Sequence, residues 1–542
     1  MIDSHRTRSA AQPVWLAMAS VLLLSTTTAP GLAQVLEDAC VALAGTSVQA
    51  ESLGLPTGGA SLQTAVMAQL DDGTSFCQVN GAIHPVSEAP DINFQVNLPA
   101  EWNQRSVQFG GGGYNGTLVE ATGHLGNTDP SLPTPLAQGY VTYGSDSGHQ
   151  TTGGIDGSFL LNAEALANFG GLQLKKTHDV AMYLIETLYG EAPQYRYFAG
   201  ASQGGHEALT VAQRWPLDYE GVSVTYPAYN FTALQLSGNR NAKALYADGA
   251  KLSPADVDTL NSAVYDACDG LDGAEDGIVS NIGACDAAFD VTTLLCEGEK
   301  ADGCLAQPQI DALDVWNSSY ELPITMQGGL QDYARWPIYH GGDLYGLWGM
   351  GAEEAPSIPP APVADAGLYV LADPLIRYAI AGNPDGFDSL AFEPEEYLSE
   401  ISEVSYLIDA NDPNLSAFRD HGGKMLLMHG TIDFAISPFN TVRYYERMVE
   451  TFGQERVDEF TRFYMVPGFG HGSGVFQLGW DPLGPLADWV EKGEAPAELV
   501  GVDRAEATAG RTRPMCIYPT YPQYSGQGDM DDASAFTCAD PN

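Results

Sequence analysis

Tyr197-Phe198-Ala199-Gly200-Ala201-Ser202-Gln203-Gly204-Gly205-His206 joins a short apolar run of β propensity to a Gly-x-Ser-x-Gly turn. Glu207-Ala208-Leu209-Thr210-Val211-Ala212 then reads as helix. A strand that bends into a helix through such a turn is a nucleophile elbow, which holds a serine hydroxyl clear of the sheet. Gly200 and Gly204 are required because a Cβ at either would collide with neighbouring backbone. The helix points its unpaired N–H groups and positive dipole end at Ser202. Alone, these residues also describe a plain glycine-rich strand–helix loop, so the flanking sequence has to decide.

Upstream, Ser106-Val107-Gln108-Phe109 reads as a strand running into Gly110-Gly111-Gly112-Gly113-Tyr114-Asn115-Gly116, and Tyr140 to Gly144 as another. Apolar spacing predicts a helix from about Lys176 to Leu188, and residues 220–228 form the strand after the elbow. Strands alternating with helices imply a mostly parallel sheet covered on both faces. Before this unit, residues 34–100 mix short strands and loops. Their last strand, Ile92 to Pro99, alternates apolar and polar positions like an edge strand. From about Tyr229 to Gly423 the alternation gives way to cysteines, Pro- and Gly-rich turns and irregular helices, which marks an inserted lobe. The sheet resumes at Lys424 to Gly430, followed by a helix at about Pro438 to Glu450 and a last strand at Arg462 to Val466. The expected organisation is a core of residues 34–228 and 424–542 with a lid domain at 229–423.

At 542 residues the chain can bury a large core. Arg6 and Arg8 precede an apolar stretch, Val14 to Leu24, and small residues up to Ala33, so residues 1–33 read as a cleaved export signal and the protein as secreted or periplasmic. With 69 Asp and Glu against 23 Lys and Arg, the net charge is −46. Loss of Asp3, Arg6 and Arg8 with the signal makes it −47. Such a surface repels nucleic acid and anionic membranes, which excludes both as partners, and suits a salty medium. The eight cysteines of an exported chain imply disulfides. Sequence neighbours suggest Cys40–Cys77, Cys268–Cys285, Cys296–Cys304 and Cys516–Cys538, with other connectivities open.

A nucleophilic serine needs a base, the base an orienting acid, and the tetrahedral intermediate oxyanion donors. His471, in the glycine-rich loop after the last strand, is the expected base, and Asp433, just past strand 424–428, the expected acid. The order Ser202, Asp433, His471 is that of α/β-hydrolases. His149, His206, His340, His421 and His429 are rival bases, of which His206 and His421 fit structural positions and His429 a support for the acid loop. The oxyanion donors are expected to be the Gln203 N–H and one from residues 110–113, with Gly111 or Gly112 preferred. A phosphate loop is excluded there, since the run lacks the Lys-Ser/Thr ending.

Within the insertion, Cys268-Asp269-Gly270-Leu271-Asp272-Gly273-Ala274-Glu275-Asp276-Gly277-Ile278 places three aspartates among glycines. Hard oxygen ligands in that rhythm fit Ca²⁺, with Asp269, Asp272 and Asp276 as side-chain ligands and Ala274 and Ile278 as carbonyl ligands. The spacing is not that of an EF-hand, a solvated acidic turn is the alternative, and the ion's expected role is to stiffen the lid.

Together with residues 410–418, 429–433 and 466–471, the elbow and the Asp-rich loop resemble the tannase/feruloyl esterase family from about Cys40 to Cys538. The resemblance implies an α/β-hydrolase core with a calcium-bearing lid that hydrolyses esters of aromatic acids such as gallate, ferulate or chlorogenate. One branch of that family cleaves the monoester released from an aromatic polyester. The family's disulfide, formed by cysteines just before the serine and just after the histidine, is absent, because Ala201 and Gly472 stand there. Tyr333, Trp336, Tyr339, Tyr345 and Trp348 could stack on a phenolic ring or form lid core. The absence of Lys and Arg between Arg335 and Arg377 favours a neutral acyl group over a terephthalate-type monoester. A catalytically silent, calcium-dependent binding module and a serine peptidase are the rival functions, and no oligomeric state follows.

Overall fold

A computed structural model describes residues 32–151 and 154–541. The basic and apolar parts of the expected export signal lie outside them.

A ten-stranded sheet forms the centre. Its strands are β1 (Ser47–Val48), β2 (Ala60–Gln69), β3 (Ser75–Ile83), β4 (Ile92–Pro99), β5 (Arg105–Phe109), β6 (Val141–Ser145), β7 (Tyr195–Ala201), β8 (Gly221–Thr225), β9 (Lys424–Gly430) and β10 (Thr461–Val466). The spatial order is β1-β2-β3-β4-β6-β5-β7-β8-β9-β10. From β6 to β10 every pair is parallel, while β1 to β4 form antiparallel pairs and β4 joins β6 antiparallel. Helices α1 (Leu32–Leu43), α2 (Gln173–Tyr189), α3 (Gln203–Arg214) and α4 (Phe231–Leu245) precede β9, and α5 (Pro438–Phe452) follows it. The expected α/β-hydrolase architecture is present.

Apolar chemistry explains the layering. Val222 and Val224 of β8, Leu427 of β9 and Phe463 of β10 bury against Ala208, Leu209, Val211 and Ala212 of α3 in one cluster. Fully burying a side chain of that size stabilises by about 1.5–3 kcal/mol relative to leaving it exposed.

The alternation in β4 does not mark an edge. β4 lies between β3 and β6 and is buried along nearly its whole length. Its polar positions are inward because they are paired: Gln95 donates to Asn97 Oδ1 (2.9 Å) and to the Glu120 carbonyl (3.0 Å), and Asn97 donates to Thr142 Oγ1 (3.0 Å). A satisfied amide can occupy a position that an unpaired one would make costly.

Between β8 and β9 the chain leaves the sheet. That segment builds its own apolar cluster around Leu234, Leu260, Leu313, Trp316, Trp336, Tyr369 and Ile408, joined by Tyr114 and Phe169 from before the elbow. The four disulfides are Cys40–Cys77, Cys268–Cys285, Cys296–Cys304 and Cys516–Cys538, as the spacing suggested. Loops of 8 to 37 residues closed this way are worth about 2.5–4 kcal/mol each in a chain-entropy estimate.

Candidate active site

The elbow is built as the glycines require. Ser202 closes β7 with φ 62° and ψ −119°, a conformation that places its side chain above the strand ends. A Cβ on Gly200 would lie 2.3 Å from the Gly204 carbonyl oxygen, and one on Gly204 2.9 Å from that of Gly111. The strained residue is held by its backbone: the Ser202 N–H donates to Thr225 O (3.0 Å), and its carbonyl accepts from His206 N–H (3.0 Å).

The structure brings the three expected residues together. Ser202 Oγ lies 3.0 Å from His471 Nε2, and His471 Nδ1 lies 2.8 Å from Asp433 Oδ2. Asp433 is fully buried, and its Oδ1 accepts the N–H groups of Ala435 (2.8 Å) and Ile436 (2.9 Å). Burial pushes its carboxyl upward, but the neighbouring His471 and the hydrogen bonds from His429 and His471 outweigh that and hold it well below the usual carboxylate range. His429 stands 3.3 Å from Asp433 Oδ2 and also touches Thr441 Oγ1 (2.8 Å), a support for the acid loop. The other rival bases are engaged elsewhere: His206 pairs with the Ile408 carbonyl, His149 with that of Tyr114, His340 with Asp286 and His421 with Glu220.

Two aromatic rings grip the imidazole. Tyr226 has its centroid 4.5 Å from that of His471, and Trp348 meets it edge-on at 5.3 Å. The Tyr226 hydroxyl accepts from Asn127 Nδ2 (2.6 Å). Neither Tyr226 nor Asn127 stood out in the sequence, although Tyr226 directly follows the strand beside the elbow.

Of the two preferred glycines, Gly111 is ruled out as an oxyanion donor because its N–H donates to Glu207 Oε2 (2.8 Å). Gly112 lines the cavity beside Ser202, Gln203 and His471. Its N–H and that of Gln203 have no partner among the described residues, so both can receive a ligand oxygen.

That cavity, of about 250 Å³, has walls of Phe231, Leu234, Leu371 and Ile436, with Tyr114, Gln203 and Gln235 as polar members and, among the described residues, no Lys or Arg. A second cavity of about 360 Å³ shares Gly112, Gly113, Trp348 and Leu371 with it and opens past Leu347 and Val363. Of the five aromatics singled out in the insertion, only Trp348 lines the site. Tyr333 and Trp336 are fully buried and bonded to Ser437 and Ser237, Tyr339 is buried, and Tyr345 donates to the Leu252 carbonyl. Phe231 and Leu234 replace them as walls. They sit at the start of α4, where only the path of the chain brings them over Ser202.

The Asp-rich loop lies against the C-terminal strands. Asp269 accepts the Gly277 N–H (3.0 Å), while Asp276 pairs with Arg513 and accepts the Ile278 N–H (3.0 Å). Asp272 Oδ2 is buried and makes no hydrogen bond among the described residues. Burial, with Asp276 and Asp269 close by, pushes its carboxyl up to about 6. Among the described residues, no group of three or more His, Cys, Asp or Glu is gathered tightly enough to hold a metal as it stands. The orphaned oxygen and the hard donor set nevertheless fit a cation such as Ca²⁺.

Residues 77–539 match the family model for tannase and feruloyl esterase. An uncharacterized esterase of Agrobacterium fabrum is 38% identical, covering 92% of this chain and 93% of its own. The mono(2-hydroxyethyl) terephthalate hydrolase of Piscinibacter sakaiensis is 30% identical, over 86% of this chain and 85% of its own. The crystal structure of feruloyl esterase B from Aspergillus oryzae superposes with a TM-score of 0.75 over 93% of this chain and 100% of its own, at 22% identity. The family match over most of the chain and the esterase relatives set aside the silent binding module: the chain belongs to the tannase and feruloyl esterase family and is a carboxylic ester hydrolase on the α/β-hydrolase fold.

Proposed function

We propose that the protein is a secreted serine esterase that cleaves esters of neutral phenolic acids, of the gallate, ferulate or chlorogenate kind, through an acyl-enzyme. The hydrogen-bonded line Ser202–His471–Asp433 at the mouth of an uncharged cavity carries this reading. Ser202 Oγ attacks the ester carbonyl while His471 Nε2 takes its proton, and Asp433 holds the imidazole and stabilises its charged form. The Gln203 and Gly112 N–H groups receive the oxyanion. His471 then returns the proton to the departing alkoxide, which leaves on the Trp348 side toward the second cavity. Water, deprotonated by His471, attacks the acyl-enzyme, frees the acid and regenerates Ser202.

The acyl cavity offers apolar walls and the Gln203 and Gln235 amides but, among the described residues, no cation. A carboxylate buried there would lack the charge-assisted bonds that offset its desolvation. The name of the Piscinibacter relative favours a terephthalate monoester as the second reading. Four disulfides and the basic-then-apolar N-terminus support export. Release of acid from methyl ferulate, methyl gallate, chlorogenate and a terephthalate monoester, beside an anilide, decides the class. The phenolic esters are expected to exceed the monoester in kcat/KM by about tenfold or more, the cost of roughly one unmade charge-assisted bond. Preference for the monoester would install the second reading, and anilide cleavage at a comparable rate would make the protein a peptidase.

Calcium in the loop would be held by Asp269, Asp272 and Asp276 with the Ala274 and Ile278 carbonyls. It would supply a cross-link there and no chemistry. Calcium at a hundredfold excess over its dissociation constant is worth about 2.7 kcal/mol, roughly 2–3 °C in melting midpoint for a chain of this size. Melting in EGTA and in Ca²⁺ checks this, and coincident curves would remove calcium from the account.

A further inference from the structure

Glu207 stands one turn into α3, five residues past Ser202, and is buried to 1% exposure with no cation beside it among the described residues. Its carboxylate gathers three donors from two other parts of the chain. Oε2 accepts the Gly111 N–H (2.8 Å), and Oε1 accepts Asn115 Nδ2 (2.8 Å) and Gln173 Nε2 (3.1 Å). An ionised carboxylate is acceptor-only, so it can meet converging donors without offering one of its own. A buried charge without a counter-ion is costly, and its presence here calls for a role.

Peptide geometry supplies that role. The Gly111 carbonyl accepts the Gly204 N–H of α3 (3.0 Å). In a planar trans peptide, the N–H of the next residue points opposite to that carbonyl. With the Gly111 C=O turned toward α3, the Gly112 N–H is turned away from it, on the side where Gly112 lines the cavity. The peptide units on both sides of Gly111 are thus pinned, one by Glu207 and one by Gly204. Four consecutive glycines would otherwise sample many conformations. Both pins belong to α3, whose first residue, Gln203, carries the other free N–H.

We infer that Glu207 is a positioning residue for the oxyanion hole: by holding the Gly111 N–H, its carboxylate keeps the Gly112 N–H aimed at the carbonyl oxygen of the bound ester. This rests on the serine-esterase reading above. It carries a pH consequence. Burial pushes the Glu207 carboxyl up to about 7 against the pull of its three donors, and no charged side chain of α2, α3 or the glycine loop contributes. Once protonated, Glu207 has to donate into a ring of donors, and one bond is lost. The pinned loop is complete above about pH 7 and loosens as pH falls through that value. Loss of the Glu207 charge therefore lowers kcat/KM as pH falls through about 7.

Glu207→Gln tests this. The amide turns an N–H₂ toward a donor, and kcat is expected to fall about tenfold or more with KM within about twofold, part of the 10²–10³ that a lost oxyanion donor costs. The part of the fall in kcat/KM across about pH 7 that Glu207 protonation causes is absent from this variant. An arylboronic acid, whose tetrahedral adduct on Ser202 fills the oxyanion hole, binds about tenfold more weakly, while inhibition by the product acid is unchanged. A merely structural role would lower the melting midpoint and leave the pH profile near 7 and the boronate affinity untouched, which would overturn the inference. If the Gln variant does not fold, Glu207→Asp keeps the charge and shortens the reach. It is expected to lower kcat and boronate affinity with the fall of kcat/KM near pH 7 retained, and native values of both would overturn the inference. Absence of ester turnover in the unaltered protein is seen before any variant is made and would remove the esterase reading and this inference with it.

Discussion

Ser202→Ala is expected to lower kcat on its best ester by about 10⁵–10⁶, some 7–8 kcal/mol of barrier, with the melting midpoint unchanged. The effect is large because nucleophile, base and acid act as one unit, and removing one leaves only the oxyanion donors and binding. Stability is unaffected for a specific reason. The one hydrogen bond made by Ser202 Oγ is to His471, whereas the backbone bonds that hold the strained elbow involve only main-chain atoms. Alanine keeps the Cβ and therefore the same strain at φ 62°. KM stays within a few-fold, since the cavity walls are intact. Residual activity within about tenfold of the unaltered protein would mean that another group is the nucleophile and that the geometry at Ser202 is coincidental.

Gly200→Ala is expected to act on the fold itself. The added Cβ would sit 2.3 Å from the Gly204 carbonyl oxygen and 2.4 Å from its carbonyl carbon. Both are backbone atoms of the first turn of α3, so no side chain can rotate away. Relief requires α3 to move, and α3 carries the Gln203 N–H and both pins on Gly111. Overpacking against rigid backbone costs about 3 kcal/mol or more, at the upper end of the range for added core methyls. The expectation is a melting midpoint lowered by about 3 °C or more and, in whatever folds, at least about a hundredfold loss of kcat. Gly123→Ala is the comparison, because a Cβ there meets nothing within 4 Å. Equal midpoints for the two variants would show that the elbow is not closed as described.

The chemistry-bearing residues were legible because each sits in a local pattern: a glycine-flanked serine between strand and helix, an acid past one strand, a histidine past the next. Their chain order then limited the choice of partners, and the distances around His471 agree. Choosing between Gly111 and Gly112 lay beyond sequence, because it turns on which way one peptide plane faces. That depends on Glu207, 96 positions away. The aromatic insertion leaves both readings open for a related reason. A tyrosine or tryptophan has the same composition in a core as at a site, and only packing distinguishes Trp348 from Trp336. In β4 the alternation has the look of an edge strand, although amides that pair with one another and with backbone can lie inside.

β8 and β9 are adjacent parallel strands, with Gly221 opposite Lys424 and Thr225 opposite Met428, yet residues 226–423 separate them along the chain. The elbow strand and α3 are therefore synthesised well before β9 and β10, which carry the aspartate and histidine loops. A growing chain can pair β1 through β8 and form the elbow, but it leaves the β8 edge open until the whole insertion has emerged. Such distant pairing is slow to form, and an unpaired apolar edge invites association in the interval. Ester-cleaving competence is thus a late event in this protein's biogenesis, reached only when the final parallel strands dock beside β8.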